Sequence, residues 1–194
     1  MTLTMRCYTG AAIAPLVDDL ARLRITVFRD WPYLYDGDLD YERRYLAGYA
    51  RGDAILVAAF DGARMVGAST GMPIADHAED LGEALTWFEQ DVNSVFYCAE
   101  SVLLSEHRGQ GVYRRFFAER EAHARRLTFA TSTFCAVQRP ADHPLRPAAH
   151  RSLDPVWRRF GYAPRPGVVA HLRWRDIGED AETDKPLQVW GKSL

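Results

Sequence analysis

Two groups of residues in this chain could do chemistry. The first is His107-Arg108-Gly109-Gln110-Gly111-Val112-Tyr113. It follows an apolar run and precedes an amphipathic one, so it joins a predicted strand to a predicted helix. Its two glycines let the backbone approach a ligand closely. The helix start leaves N–H groups unpaired and carries a partial positive charge. Such a turn can cradle a phosphate or pyrophosphate. The second is Glu100, in the mostly apolar segment Tyr97-Cys98-Ala99-Glu100-Ser101-Val102-Leu103-Leu104. A buried carboxylate is costly unless it is paired or functional. A carboxylate there could take a proton from a reacting group. It could equally pair with an arginine or cap a bulge.

Neither a P-loop nor a dinucleotide fingerprint fits the turn. No Gly-Lys-Ser/Thr follows, and a third glycine is missing. The pattern apolar strand, Arg-x-x-Gly-x-Gly/Ala, helix instead resembles the acetyl-CoA-binding motif of the GCN5-related N-acetyltransferase (GNAT) superfamily. Here it spans Leu103 to Tyr113. Val156-Trp157-Arg158-Arg159-Phe160-Gly161-Tyr162 resembles that superfamily's second landmark, a short helix ending in Gly and then an aromatic. Two residues depart from the pattern. Tyr113 stands where a small residue is usual, and Trp157 where a Tyr often protonates the leaving thiolate. An indole N–H donates a hydrogen bond but supplies no proton near neutral pH.

The resemblance implies an α/β (mixed α+β) acyl-CoA N-acyltransferase fold, with a mixed six- to seven-stranded sheet flanked by helices. It implies acetyl-CoA as co-substrate and transfer of the acetyl group to a primary amine by direct attack. The pyrophosphate would rest on Arg108, Gly109, Gln110, Gly111, Val112 and Tyr113. The backbone of Val102, Leu103 and Leu104 would meet the pantetheine arm and polarise the acetyl carbonyl. Glu100 would be the base. Tyr97, Tyr113 and Tyr162 are the tyrosines that could replace the missing acid, Tyr113 being the catalytic candidate beside Glu100; the sequence does not choose among them. The loop after the first helix carries Trp31, Tyr33, Tyr35, Asp36, Asp38 and Asp40. In related folds that region borders the acceptor site. Trp31, Tyr33, Tyr35 and Glu100 are therefore the substrate-binding candidates, since aromatic faces and carboxylates suit a cationic amine. His143 and His150 read as loop residues, and Cys135 as a small buried hydrophobe.

The elements that must position these groups follow from periodicity. Helices are predicted over Pro15–Phe28, Asp40–Arg51, Leu81–Asp91, Val112–Leu127 and Asp154–Phe160. Strands are predicted over Ala54–Phe60, Arg64–Pro73, Ser94–Leu104, Thr131–Val137, Val168–Trp174 and Leu187–Trp190, with a hairpin at Asp61-Gly62. Gln138–Ala149 reads as a Pro/His-rich loop. An acidic link, Asp176–Lys185, leads to the last strand. Without repeats or a clear linker, residues 1–194 read as one domain.

Composition narrows the function further. The net charge is −2 and the pI near 6.3, so no basic field favours nucleic acid. Arginines read as spread over helical faces. No run reaches transmembrane length, so no membrane partner is expected. Met1–Tyr8 lacks a signal-peptide pattern. Cys7, Cys98 and Cys135 have neither disulfide nor zinc spacing, so no metal is expected and a reducing cytoplasm is the simplest setting. The expected partner is a small-molecule amine, and a homodimer is compatible with the chain. Two other readings stay open: a non-catalytic acyl-CoA-binding module, and a transferase acting on protein N-termini or lysines.

Overall fold

The sheet is built around the hairpin at Asp61. Strands β2 (Ile55–Asp61) and β3 (Arg64–Pro73) pair antiparallel around it. Every β2 residue except Asp61 is buried, as are eight consecutive residues of β3. A strand buried on both faces needs cover on both faces. The computed structural model, which describes residues 3–77 and 91–194, supplies that cover with helices. Helix α1 (Val17–Phe28) packs on β3, and α3 (Val112–Arg126) packs on β2 and β3 from the opposite side. Helix α2 (Leu39–Leu46) lies against α1; Asp38 caps it, accepting from the Tyr41 N–H at 2.8 Å.

The remaining strands are β1 (Thr4–Thr9), β4 (Val95–Tyr97), β5 (Ser101–Leu103), β6 (Thr131–Val137), β7 (Ala163–Trp174) and β8 (Thr183–Ser193). Helix α4 (Asp154–Arg159) precedes β7. The sheet order is β1-β2-β3-β4-β6-β8-β7, with β5 also paired to β3. All pairings are antiparallel except β4 with β6. That pair is joined through α3, the crossover a parallel pair requires.

Several elements run differently from the sequence expectation. The expected helix from Pro15 begins as a 3₁₀ segment, Gly10–Leu16, and becomes α-helical at Val17. The helix expected over Asp40–Arg51 ends at Leu46 and continues as a 3₁₀ turn, Ala47–Ala50. Strand β1 went unrecognised because it is a polar edge strand, half exposed along its length. Strand β8 grows into the acidic link, so only residues 175–182 turn. The helix expected from Leu81 lies outside the described residues. Counted by segment, the sheet has eight strands rather than six or seven.

The expected strand Ser94–Leu104 is instead broken at residues 98–100. Before the break, the Cys98 N–H still donates to Thr133 O of β6 at 2.7 Å. After it, β5 stays on β3 and leaves β6. Arg120 of α3 pins this break. Its Nη1 donates to Thr70 O at 3.2 Å and to Glu100 O at 3.0 Å, while the residue is 1% exposed. Hydrogen bonds from a charged donor are worth about 1.5–3 kcal/mol. Arg120→Met should therefore lower stability by about 3 kcal/mol, read as a fall in the urea midpoint without a change in slope. An unchanged midpoint would mean that the break holds itself. Among the described residues no helix is long and apolar enough to cross a membrane.

Candidate active site

Where β5 leaves β6 a gap opens in the sheet, and the residues singled out in the sequence gather at its two ends. Alternation decides which β5 groups face the gap. Thr70 N donates to Glu100 O at 3.2 Å, and Leu104 N to Val66 O at 3.0 Å, so even-numbered residues turn toward β3. Ser101 and Leu103 therefore turn toward the gap. Val102 and Leu104, expected to meet a ligand arm, hold the strand to β3 instead. Ser101 was missed; counting alternation outward from Glu100 would have found it.

At one end of the gap lies the glycine turn. Gly109 and Gly111 both have φ of +78°, a conformation that favours glycine, and a Cβ on either would meet nothing within 4 Å. The backbone is thus open on the side a ligand would approach. Gly111 is the N-cap of α3 and has no side chain to occupy the first-turn N–H groups. With Gln110, Val112 and Tyr113 it offers the helix-terminal cradle that an anion needs. Val112 anchors the turn, its side chain 4% exposed. Arg108 acts as a brace: its N–H donates to Ser105 O at 3.2 Å and its Nε to Leu103 O at 3.3 Å.

Tyr113 and Trp157 meet beside this turn. Trp157 Nε1 donates to the Tyr113 hydroxyl oxygen at 2.8 Å. Burial raises the Tyr113 phenol above its ordinary value, and the indole bond opposes that shift. Trp157 also packs on Phe134, the β6 residue just past Thr133, with ring centres 5.1 Å apart. Tyr162 is 2% exposed, and its hydroxyl is hydrogen-bonded to the Ser132 hydroxyl at 2.7 Å. Tyr97 lines the opposite end of the gap.

That opposite end is a pocket of about 670 Å³ between the sheet, α1, α2 and the β7–β8 connection. Its floor is a buried charge cluster. Arg24 of α1 donates through Nε to Glu42 of α2 and through Nη1 to Glu100, each at 2.5 Å. Glu42 is fully buried and Glu100 is 5% exposed. Burial disfavours the Arg24 charge, but Glu100 and Glu42 outweigh it and hold its pKa well above the ordinary value. Glu100 is thus paired with an arginine, one of the sequence expectations for it, and it also lines the pocket. Arg24 itself went unnoticed among the arginines.

Tyr33 and Tyr35 line the pocket as expected positions for an acceptor wall. Arg139 fixes their loop: Nε donates to Pro32 O at 2.9 Å and Nη2 to Tyr33 O at 2.6 Å. The same guanidinium forms a bidentate pair with Asp176, at 2.6 and 2.9 Å. Trp31 does not join the lining. It packs on His143 and His150, with ring centres 5.1 and 5.8 Å away, which gives those two histidines a role in loop packing. Cys135 lines the pocket with its thiol pushed up to about 12 by burial, so it is no ready nucleophile. No group of metal-ligating side chains is found among the described residues.

No protein-family profile matches the sequence, and no curated protein is significantly similar to it. Solved structures are. The ribosomal-protein-alanine N-acetyltransferase of Brucella melitensis aligns over 98% of this chain and 99% of its own, at 15% identity and a TM-score of 0.61. The polyamine N-acetyltransferase of Drosophila melanogaster aligns over all of both chains, at 11% identity and a TM-score of 0.61. PaiA N-acetyltransferase of Thermoplasma acidophilum, solved in complex with coenzyme A, likewise aligns end to end, at 9% identity and a TM-score of 0.58. At such identities the likeness is one of architecture. The broken central strand, the glycine turn beyond it and these alignments together give the chain the fold of the GCN5-related N-acetyltransferase superfamily.

Proposed function

We propose that the protein transfers an acetyl group from acetyl-CoA to a primary amine of a small molecule. One observation carries this reading: the strand break at residues 98–100 lies between a pocket floored by the buried carboxylate of Glu100 and a glycine turn whose first-turn N–H groups have no side-chain cap. The structural neighbours named as N-acetyltransferases, one of them holding coenzyme A, support it. The pocket's size falls within the usual range for small-molecule sites. The open turn and the free edge of β5 suit a pyrophosphate followed by an extended arm.

In this reading the N–H groups of Gly109 to Tyr113 hold the pyrophosphate, with Arg108 bracing the turn. Acetyl-CoA supplies a thioester-activated acetyl group. The Leu103 N–H, facing the gap, polarises its carbonyl. Glu100 takes the proton that the ammonium must lose before its nitrogen bonds to the acetyl carbon. Tyr113 gives a proton to the sulfur as the carbon–sulfur bond breaks, and the second proton shed by the new amide nitrogen restores the phenol. Trp157 donates to the Tyr113 oxygen and so leaves the phenol proton for the sulfur.

The test is acetyl-CoA turnover with a panel of primary amines, followed by thiol release. Saturable turnover with a small amine is the expected result; tight CoA binding with no turnover on any amine or peptide would favour a binding module. Because the Tyr113 phenol is raised, the rate should climb with pH and reach a plateau, without a fall below about pH 10. Tyr113→Phe should lower the plateau about 10–100-fold, a modest share of acid catalysis because a thiolate leaves readily. An unaltered plateau would remove Tyr113 from the reaction.

A further inference from the structure

The pocket floor carries more negative than positive charge. On this face of the sheet one guanidinium, Arg24, is shared between two buried carboxylates, Glu42 and Glu100. The other buried guanidinium nearby, Arg120, reaches Glu100 only through its carbonyl, comes from α3 on the opposite face and does not line the pocket. Glu100 Oε1 is buried and accepts no hydrogen bond among the described residues. An unpaired charge in such surroundings calls for a counter-charge. The walls keep the same sign: six carboxylates and three guanidiniums line the pocket in all, so anionic ligands meet a repulsive field. Arg175, at the mouth, is already paired with Asp36 at 2.8 Å.

Beside the charge cluster runs an aromatic wall. The Arg24 guanidinium lies 5.1 Å from the Phe28 ring centre. Phe28 lies 4.2 Å from Tyr33, and Tyr33 5.8 Å from Trp174. All three rings line the pocket, with Leu172 and Leu187 beside them. The indole N–H of this wall is engaged: Trp174 Nε1 donates to Tyr33 O at 3.0 Å. Arg139 and Lys185 lie 5.9 and 5.6 Å from the Trp174 ring centre, so the wall offers the remaining aromatic surface of Phe28, Tyr33 and Trp174, with aliphatic surface beside it, to whatever extends from the cluster.

We propose that the acceptor is an aralkyl primary amine without a carboxylate. Its ammonium completes the Arg24–Glu42–Glu100 cluster at Glu100 Oε1, and its ring lies along Phe28, Tyr33 and Trp174. This rests on the acetyl-transfer reading but concerns only what the pocket selects. An α-carboxylate would enter a field already in surplus by one negative charge, so amino acids are rejected. Of the lining carboxylates beyond the floor, Asp36 is paired with Arg29 and Arg175, Asp38 caps α2, and Asp180 and Glu182 are exposed to solvent, so a second ammonium gains little from them.

The test uses equilibrium binding to the full chain saturated with CoA, so that acetylation plays no part. The probes are 2-phenylethylamine, 2-phenylethanol, phenylalanine and 1,4-diaminobutane. The expected order places 2-phenylethylamine at least about 10-fold tighter than each of the others, the share of one charge-assisted hydrogen bond or one buried ring. Glu42→Gln, which leaves a single carboxylate against Arg24, should lower its affinity by about the same factor while leaving CoA affinity unchanged. The probe comparison decides the matter even if that variant does not fold. Phenylalanine or the diamine binding as tightly as 2-phenylethylamine would overturn the proposal, as would equal binding of the neutral alcohol. Failure to bind CoA in the first place would overturn the acetyl-transfer reading instead.

Discussion

Gly111→Asp is expected to abolish acetyl-CoA binding, weakening it by at least about 100-fold while the protein stays folded. The residue sits at φ +78° as the N-cap of α3. A side chain there costs about 1–2 kcal/mol in backbone strain. The space around it is open, so strain is the whole structural cost. A carboxylate at that point competes for the first-turn N–H groups and repels a pyrophosphate by like charge. Gly111→Ala separates the two effects, because it carries the strain without the charge. Calorimetry with acetyl-CoA should show Gly111→Ala binding within about 10-fold of the parent, the equivalent of that strain. If Gly111→Asp binds like the parent, the pyrophosphate lies elsewhere.

The second large effect belongs to Glu100. Glu100→Gln should reduce turnover by about 10²–10⁴-fold with acetyl-CoA affinity nearly unchanged. Gln keeps an oxygen for Arg24 but cannot take a proton. Arg24 also retains Glu42 at 2.5 Å, which limits the structural penalty. The pH profile separates a base from a counter-ion: loss of the base removes the acid limb, whereas loss of a counter-ion lowers the curve without reshaping it. A folded Glu100→Gln protein with full activity would assign Glu100 to the Arg24 ion pair alone.

The boundaries of β3 and β6 were legible because local signals mark them: the Asp61-Gly62 turn opens β3, and Thr131, Thr133 and Val137 make β6 β-branched. The glycine turn was legible for the same reason. The break at residues 98–100 was not, because the group that bridges it, Arg120, stands on a helix that follows it in the chain. The charge cluster was half legible. Glu100 stood out against an apolar strand, but Arg24 did not stand out on a charged helix. A signal was present nonetheless. Leu20, Arg24 and Phe28 recur at four-residue spacing, as do Phe116, Arg120 and Ala124, and all six are buried. An arginine at a position that periodicity assigns to the core marks a buried charge whose partners lie on other elements. Trp31 shows the converse: an aromatic in the right loop was turned away by its packing on two histidines.

The broken strand also changes how the sheet behaves as a body. Among the described residues two blades, β1-β2-β3-β5 and β6-β8-β7, meet at the three residues of β4, with the Ala130 N–H to Ser94 O and Cys98 N–H to Thr133 O bonds at its ends. A ligand arm lying along β5 would then act as the absent rung, linking the blades that the chain itself leaves apart. Occupancy of the gap and stiffness of the sheet are accordingly one variable, and the amide protons of Val95 to Cys98 are its gauge, exchanging more slowly as the gap fills.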